Sequence, residues 1–508
     1  MTNRYGSVII LSLFLFSIIS GGLITSLFYK DYRLWLDEIL SMILLSDRSL
    51  VHMTQAITTG IDASPPLFLY VYSVIGNNVL VLKAVSVLFF AGGVAVLYNY
   101  LARLFNRPLL LFVLLLVVVA LTGMNYNLSS QIRNYALFLF LSALYFVSLF
   151  QFATKNGGSK HLLWMAVSGL FLAFVHNFGL IYIATSAGLC ILLAIWAREY
   201  RYLMSLIPCL IAGFFWLIVW YPHFVIQADT GKPYGWIPQP TFSSFFIILD
   251  SLLPRIPVLS ETNLTIIVSK VVLLAMLFLT VLLQSLRMGY RQVISDPARM
   301  VFLLSAGIFW GVILISLIAS FAYTPIFYGR YFWPSHLLVI VQIAYLCRYV
   351  PVVNFPYLKR FVLAGVALAC GAYLFRQNKK VVLFPEYVAT LTKAVPANSV
   401  VFFEIGSDFL TADYYALTNS YFLLNWKASL KNRDTLGFKL IGAIREQYGK
   451  REIIPEAGFN KVNFPFFYVV DKSSYYLFEQ YFDSGAIRIR KEIKESIEGY
   501  RILECEWR

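Results

Sequence analysis

Long apolar runs separated by short charged segments fill the first three-quarters of the chain. A helix needs about 20 apolar residues to cross a bilayer, and the pattern predicts about eleven such spans. They lie at 7–28, 82–105, 108–124, 134–153, 161–177, 179–197, 202–221, 263–286, 299–321, 334–350 and 358–375. The first has no small-residue cleavage signature, so it is interpreted as a retained helix. The apolar run Pro65–Ile75 is too short to cross and is expected to be interfacial or re-entrant.

After residue 375 the pattern changes to mixed charge with short alternating segments. Buried strands are predicted at 399–404 and 466–471, helices at 409–417 and 474–482, and late strands at 486–494 and 500–507. We therefore expect a transmembrane catalytic domain at 1–375, with its first outer loop at 29–81, and a small soluble α/β domain at 376–508. The tail has no Gly-rich phosphate loop and no nucleophile motif, which favours a structural or acceptor-binding role.

Composition agrees with a polytopic α-helical membrane protein, since 59% of the 508 residues are hydrophobic, only 13% are charged and the mean hydropathy is +0.72. The net charge is +15, and the basic residues recur at alternate loops, as membrane topology requires. This distribution argues against a nucleic-acid partner. Alternate loops carry the basic residues Arg4, Arg103, Arg107, Lys155, Lys160, Arg198, Arg201, Arg287, Arg291, Arg299, Arg348, Lys359 and Arg360. The other loops carry Asp31, Asp37, Glu38, Asp47, Asp62, Asp229, Asp250 and Glu261. The positive-inside rule thus predicts a cytoplasmic N-terminus and an extracytoplasmic tail.

Adjacent acids follow the first span, in Trp35-Leu36-Asp37-Glu38. Neighbours on a helix diverge by about 100°, so one carboxylate is expected to face a cavity while the other supports it. The alternative is a pair of interfacial acids that cap the following amphipathic stretch. Asp62, before Pro65 and Pro66, is predicted either to cap the next helix or to contact a ligand or metal.

Three cations lie at outer or near-outer edges of apolar spans, where the loops otherwise carry acids. They are Lys83, Arg133 and Arg330. An unpaired charge there is costly, and the planar guanidinium suits a phosphate. The alternatives are ion pairs with outer acids or snorkelling to the interface. A phosphate contact is favoured for Arg133 and Arg330, and the role of Lys83 stays open.

Histidines and aromatic residues at outer turns are further candidates. His176 and His223 could bind a metal or a sugar, although lone histidines more often only form hydrogen bonds. Tyr234 and Trp236 offer faces on which a sugar ring could stack. The five cysteines are scattered without a Cys-x-x-Cys or Cys/His cluster, so no zinc site or disulfide framework is indicated.

Taken together, these motifs resemble the GT-C glycosyltransferases. They comprise an acid pair after the first helix, an acid-x-x-Pro-Pro at the end of the first outer loop, Arg-x-Tyr at a later helix start and Gly-Arg-Tyr-x-x-Pro before a late helix. The branch most similar is that of the protein O-mannosyltransferases and the lipid A aminoarabinose transferases. The resemblance covers about residues 1–350.

The resemblance implies an inverting transfer of a hexose or pentose from a polyprenyl-phosphate donor to a hydroxyl on a lipid, protein or polysaccharide acceptor. It makes Asp37 the general base, Glu38 its partner or an acceptor contact, and Asp62 a metal or acceptor residue. It also places Arg133 and Arg330 near the lipid phosphate. Relatives often have His or Lys directly before Pro-Pro where this chain has Ser64, so divalent-metal dependence stays open.

Membrane glycosyl transfer at the outer face of a prokaryotic plasma membrane is therefore the predicted function. One alternative is a polymerase or ligase of lipid-linked glycans, which would depend on Arg and His in a late outer loop. Another is a sugar or lipid transporter, which would place ionisable groups or broken helices near the midplane. The predicted spans are nearly free of charge apart from their ends.

Overall fold

The computed structural model describes residues 34–122, 129–154, 158–254, 263–349, 365, 384–472, 477–494 and 499–508. The predicted spans 7–28 and 358–375 lie outside these residues, apart from residue 365, as does the predicted domain boundary. Asp31, Lys155 and Glu261 lie outside them too.

Helices dominate the described residues before position 350. They are α1 (Leu36–Leu45), α2 (Leu50–Ala56), α3 (Leu67–Ile75), α4 (Val79–Phe105), α5 (Pro108–Leu121), α6 (Tyr135–Thr154), α7 (Ser159–Val175), α8 (Phe178–Ala197), α9 (Leu206–Val219), α10 (Tyr221–Thr230), α11 (Phe242–Leu252), α12 (Leu264–Met288), α13 (Tyr290–Ser295), α14 (Pro297–Ala322) and α15 (Ser335–Leu346). A π-helical turn spans Ile57–Ile61, and 3₁₀ turns span Tyr200–Ser205, Gly329–Phe332 and Cys347–Tyr349.

The nine predicted spans that fall within the described residues coincide with these helices. Among the described residues, six helical segments are long and apolar enough to cross a membrane, namely α4, α6, α8, α12, α14 and the Tyr200–Val219 segment that includes α9. The predicted spans at 108–124, 161–177 and 334–350 form the shorter apolar helices α5, α7 and α15. The chain is therefore an integral membrane protein of the predicted α-helical class. The run Pro65–Ile75 contains α3, a helix of 9 residues that is too short to cross.

The chain divides into two compact units. Unit one comprises Met1–Tyr29, Asn78–Trp220 and Ile237–Val381, and unit two comprises Lys30–Asn77, Tyr221–Trp236 and Val382–Arg508. In unit one, α6 forms the centre of the helical bundle, since 83% of its apolar window is buried, against 17% for α12. The exposed apolar face of α12 therefore faces lipid, because hydrocarbon solvates such a surface without penalty.

Unit two contains the α/β fold that the tail predicts. Its elements after position 383 are α16 (Phe384–Lys393), β1 (Val400–Phe403), α17 (Gly406–Tyr414), β2 (Asn419–Leu424), α18 (Trp426–Lys431), α19 (Thr435–Tyr448), β3 (Ile453–Pro455), β4 (Phe466–Lys472), α20 (Glu479–Asp483), β5 (Ile487–Lys494) and β6 (Tyr500–Trp507). The sheet order is β3-β2-β1-β4-β6-β5. Strands β3, β2, β1 and β4 are parallel, whereas β4, β6 and β5 pair antiparallel.

The four predicted tail strands are present as β1, β4, β5 and β6, but β2, β3 and α19 are not predicted from the pattern. The predicted helix at 409–417 is shifted to Gly406–Tyr414, because the helix begins directly after the loop that follows β1. The predicted helix at 474–482 begins outside the described residues, and only α20 is described there.

A buried pair of acids lies where β1 and β4 end. Glu404 and Asp471 are 2% and 0% exposed. Asp471 pairs with Arg501, and Leu477 N–H donates to Glu404 Oε1 over 2.8 Å. Burial, followed by the neighbouring Asp471 carboxylate, raises the pKa of Glu404 from 4.5 to about 11. Glu404 therefore carries its proton at neutral pH and can donate it to Asp471.

The replacement Glu404→Gln is expected to stabilise unit two at pH 8 by about 1–3 kcal/mol. Because folding raises the pKa of Glu404, its contribution to stability is complete below pH 4.5 and is lost as the pH rises towards 11. Glutamine can still accept from Leu477 N–H and does not titrate, so the unfolding free energy of this variant should fall less steeply with pH. Denaturant unfolding of the full chain across this range measures the difference, with the exposed Glu446→Gln as control. Equal slopes for wild type and Glu404→Gln would contradict the assignment.

Candidate active site

In unit two, the predicted acid pair lies in the first turn of α1. Glu38 is buried, and its Oε2 accepts a hydrogen bond of 3.2 Å from Trp35 N–H. A carboxylate at the third helical position that accepts from the residue before the helix is half of a capping box. Asp37 is half-buried, with a more accessible side chain. The two acids therefore differ in surroundings, and Glu38 performs the capping role that the sequence allowed for either.

Helix α17, which follows strand β1, packs against α1, the helix that carries Asp37 and Glu38. The Tyr415 hydroxyl, directly after α17, accepts a hydrogen bond from Leu34 N–H. Burial and then the negative charge of Glu38 raise the pKa of Tyr414. The tail thus fixes the start of α1 from two consecutive tyrosines.

Asp62 is 4% exposed and follows the π-helical turn. Its Oδ1 accepts from Ser64 N–H over 2.8 Å, which forms an Asx turn into the Pro65-Pro66 pair. Pro66 then precedes the first residue of α3. The carboxylate therefore shapes the turn before the prolines.

The side chain of Gln227, in α10, binds the backbone carbonyls of the same turn. Its side-chain amide, which is buried, donates to the carbonyl of Asp62 over 2.9 Å and lies 3.4 Å from those of Ile57 and Ser64. Sequence reasoning missed Gln227, because a single amide in a short helix carries no signal of the three carbonyls near it. An uncharged polar residue between apolar neighbours of an amphipathic turn is the only hint in the sequence.

Two further contacts join α10 to the π-helical turn. His223 Nδ1 lies 3.1 Å from Thr58 Oγ1, so the predicted ligand His223 is a hydrogen-bonding partner of this turn. Gly60 has a φ of +100°, and a Cβ there would lie 2.4 Å from Thr230 Cγ2. A glycine is therefore required both by the backbone and by the close approach of α10.

The predicted sugar-stacking residues follow α10. The Arg433 guanidinium lies 5.5 Å from the centre of the Tyr234 ring, so one face of this ring already contacts a cation. Tyr234 N–H also donates to Thr435 Oγ1 over 3.3 Å. Trp236 is 46% exposed and offers the larger accessible aromatic surface.

In unit one, the structure brings together the predicted residues Arg133, Arg330 and His176. Arg133 is 8% exposed and lies in the turn before α6, and the half-buried Arg330 lies in the 3₁₀ turn before α15. His176 is 7% exposed, in the turn between α7 and α8. Burial, and then the charges of Arg133 and Arg330, lower the pKa of His176 to about 3.

The imidazole of His176 is therefore neutral at physiological pH. Its Nδ1 accepts a hydrogen bond of 3.1 Å from Phe178 N–H, which leaves the ring proton on Nε2. Two cations and one neutral N–H donor thus occupy the same end of the bundle. Such a set favours a ligand with several anionic oxygens.

Aromatic rings frame this cation cluster. His176 stacks on Phe138 with ring centres 4.8 Å apart and meets Tyr331 edge-on at 5.2 Å. Arg330 lies 5.2 Å from the centre of the Tyr328 ring. Aromatic walls exclude water, so the attraction of the arginines for an anion is stronger than it would be in solvent.

The turn that carries His176 depends on a close helix approach. A Cβ on Gly179 would lie 2.2 Å from the backbone oxygen of Leu172, so only glycine permits this turn. Asn134, next to Arg133, donates from Nδ2 to the carbonyl of Val175 over 3.2 Å. This bond fixes the Arg133 turn beside the His176 turn.

Lys83 lies in the second turn of α4 and is 4% exposed. Ser86, one helical turn further on, donates from Oγ to the carbonyl of Gln131 over 2.7 Å. Because residues three apart share a helix face, Lys83 lies on the face of α4 that meets the Arg133 turn. The third predicted cation thus belongs to the same region of unit one.

No group of three or more His, Cys, Asp or Glu side chains within the described ranges is arranged to hold a metal ion. Asp62, His176 and His223 were the predicted ligands. In this structure Asp62 accepts from the backbone N–H of Ser64, His176 stacks on Phe138, and His223 lies within hydrogen-bond distance of Thr58.

No family model matches this chain, and no curated protein matches it. Solved structures do match over nearly the whole length. The crystal structure of ArnT from Cupriavidus metallidurans in the apo state is similar with a TM-score of 0.59 and 10% identity, covering 99% of this chain and 98% of that one. The same protein bound to undecaprenyl phosphate gives a TM-score of 0.47 with equal identity and coverage. The likeness to the apo structure shows that this chain has the fold of ArnT, which is the GT-C-like fold that the sequence predicts.

The replacement Gly60→Ala is expected to destabilise unit two by more than the roughly 1–2 kcal/mol that a left-handed conformation costs an L-residue. The excess arises from the clash of the new Cβ with Thr230. Gly449→Ala is the matched control, because Gly449 has a φ of +62° and a Cβ there would meet no atom within 4 Å. Thermal unfolding of the full chain measures both costs, and Thr230→Ala should recover part of the excess. Equal costs for the two glycines would refute this packing.

Proposed function

We propose that this chain is an inverting glycosyltransferase that moves a sugar from a polyprenyl-phosphate donor to an acceptor hydroxyl. The observation that carries the proposal is the buried Arg133 and half-buried Arg330 beside the neutral His176. Both guanidinium groups lie near one buried histidine, and a planar guanidinium suits the oxygens of a lipid phosphate. The GT-C fold and the motifs of the first outer loop support the same reaction class.

On the donor side, Arg133 and Arg330 stabilise the phosphate that leaves. The bond between the anomeric carbon and the phosphate oxygen breaks, and its electron pair remains on the phosphate. Cations placed where this charge develops lower the barrier, so no general acid is needed. Neutral His176 can donate from Nε2 without adding a third positive charge, which would repel the arginines.

On the acceptor side, Asp37 takes the proton of the hydroxyl as its oxygen attacks the anomeric carbon from the opposite face. A positioned carboxylate contributes about 10²–10⁴ in rate. Asp37 is preferred to Glu38, because Glu38 already holds the Trp35 N–H and is fully buried. One displacement inverts the anomeric carbon, which accounts for a mechanism without a covalent nucleophile.

The proposed setting is a bacterial inner membrane with a cytoplasmic N-terminus and unit two on the extracytoplasmic side. The donor sugar is a hexose or pentose, and the acceptor is a lipid, protein or polysaccharide hydroxyl. In this mechanism the two arginines supply the positive charge at the leaving phosphate. A polymerase or ligase of lipid-linked glycans is the nearest alternative, and it differs in needing a lipid-linked glycan as its donor.

The replacement Asp37→Asn is expected to lower kcat by about 10²–10⁴ with little change in stability, because asparagine cannot accept the proton. Transfer is measured in a deletion strain that carries each variant, by mass spectrometry of lipid-linked and cell-surface glycans. One sugar should disappear from its acceptor while its polyprenyl-phosphate donor accumulates.

Glu38→Gln is the matched control for this test. Glutamine can still accept from Trp35 N–H, so activity should stay within a few-fold of wild type. If Glu38→Gln abolishes transfer and Asp37→Asn does not, the base is Glu38. If neither variant nor the deletion alters any glycan, a transporter becomes the better hypothesis, and uptake of sugar or lipid by proteoliposomes tests it.

The replacement Arg330→Gln is expected to lower kcat/KM for the donor by about 10²–10³, as loss of one charge-stabilising donor does in other enzymes. It should also raise the pKa of His176, because one of the two charges that lower that pKa is removed. NMR titration of ring-labelled histidine in the full chain follows this shift without any substrate. Lower activity with an unshifted His176 would mean that Arg330 acts elsewhere.

A further inference from the structure

A second charged site lies at the other end of unit one. A cavity of about 320 Å³ opens between the end of α4 and the start of α14, lined by Leu104, Phe105, Arg107, Asp296, Pro297, Ala298 and Arg348. This volume is at the lower end of the range for small-ligand pockets, about 300–1,000 Å³. Lys83 and Leu104 are 21 residues apart on α4, which corresponds to about 31 Å along the helix. The cavity is therefore separate from the cation cluster of the candidate active site.

Among the described residues that line this cavity, positive charge exceeds negative charge. Arg348 NH1 lies 2.7 Å from Asp296 Oδ2, and Arg299 Nε lies 3.8 Å from the same oxygen. Arg107 adds another guanidinium to the lining. One carboxylate thus faces several arginines, so the cavity attracts an anion.

The existing contacts hold the arginine fork in place. Arg348 lies 5.2 Å from the centre of the Tyr345 ring, which restricts the guanidinium plane. Asp296 Oδ1 accepts from Arg299 N–H over 3.2 Å and so caps α14. A planar guanidinium held at a cavity mouth suits two oxygens of one phosphate.

The remaining lining is apolar and continues into the bundle. Leu104, Phe105 and Ala298 belong to or pack against a buried cluster that includes Phe302 and Tyr345. Both α4 and α14 are long enough to cross a membrane, so their ends lie at the depth of lipid headgroups. A soluble anion gains nothing from an apolar wall, whereas the glycerol and first methylenes of a lipid do.

We propose that this cavity binds the phosphate of an anionic membrane lipid, with Arg107 and Arg348 on the phosphate and Leu104 and Phe105 against the apolar part of the lipid. The basic loops predict that this face is cytoplasmic, where anionic lipids attract clustered arginines. The inference does not depend on the proposed glycosyl transfer.

Native mass spectrometry of the full chain tests the proposal, with phosphatidylglycerol and phosphatidylcholine titrated in parallel. Phosphatidylglycerol should bind more tightly, and Arg348→Gln and Arg107→Gln should each weaken it about fivefold. Arg291→Gln is the matched control, because it removes the same charge from an exposed position of α13 that does not line the cavity.

Two further variants keep the test decisive if an arginine variant fails to fold. Asp296→Asn retains the oxygen that caps α14 but removes the competing charge, so phosphatidylglycerol should bind several-fold more tightly. Leu104→Trp fills the cavity without changing any charge, so binding should fall.

Three results would overturn the proposal. Equal losses for Arg291→Gln and Arg348→Gln would mean diffuse attraction of lipid to a basic face. Unchanged binding in Leu104→Trp would mean that the cavity is not used. Complete displacement of the lipid by millimolar inorganic phosphate would identify a soluble anion as the ligand instead.

Discussion

The cost of an unpaired charge in hydrocarbon controls where ionised side chains lie in unit one. Arg133 and Arg330 are in turns at helix starts, and the arginines of the lipid cavity are at helix ends. Lys270 lies inside α12, one of the long apolar helices, and it pairs with Asp250 of α11. These charges are thus either at a helix end, where water or a headgroup reaches them, or matched within the protein.

The same constraint explains the neutral histidine. An imidazolium at this buried position would lose its hydration and add a third positive charge beside two arginines. Burial first, and then these charges, therefore lower the pKa of His176 far below the usual value of 6.5. The protein retains a hydrogen-bond donor at His176 and avoids that electrostatic cost. Phe138 on the face of the ring and Tyr331 at its edge supply the remaining contacts by dispersion, which needs no solvation.

The sequence predicted those features that depend on one long or strongly alternating segment. Spans such as α4 and strands such as β6 are recognisable because many consecutive residues share one environment. Strand β3 has only three residues and ends in Pro455, so no alternation can identify it. Tertiary pairing with β2 defines this strand, and the pairing is a contact between distant segments that local patterns do not record.

The residues of the candidate site divide in the same way, into those that the local sequence indicates and those whose role depends on distant contacts. Charge against the topology bias identified Arg133 and Arg330, since each interrupts an otherwise apolar stretch of sequence. Gln227 was not predicted, because its role depends on three carbonyl partners that are more than 160 residues away in the sequence. The neutral state of His176 was not predicted either, since it depends first on burial and then on two arginines brought close by folding.

Unit two explains why a tail without catalytic motifs accompanies the acid loop. The helices of the loop that carries the acids are short, and isolated helices of this length are marginal in water. Here α17 fixes the start of α1, α19 packs on the π-helical turn, and α10 holds the carbonyls around Asp62. Two of these helices belong to the tail, so the tail packs on the loop that carries Asp37, Glu38 and Asp62.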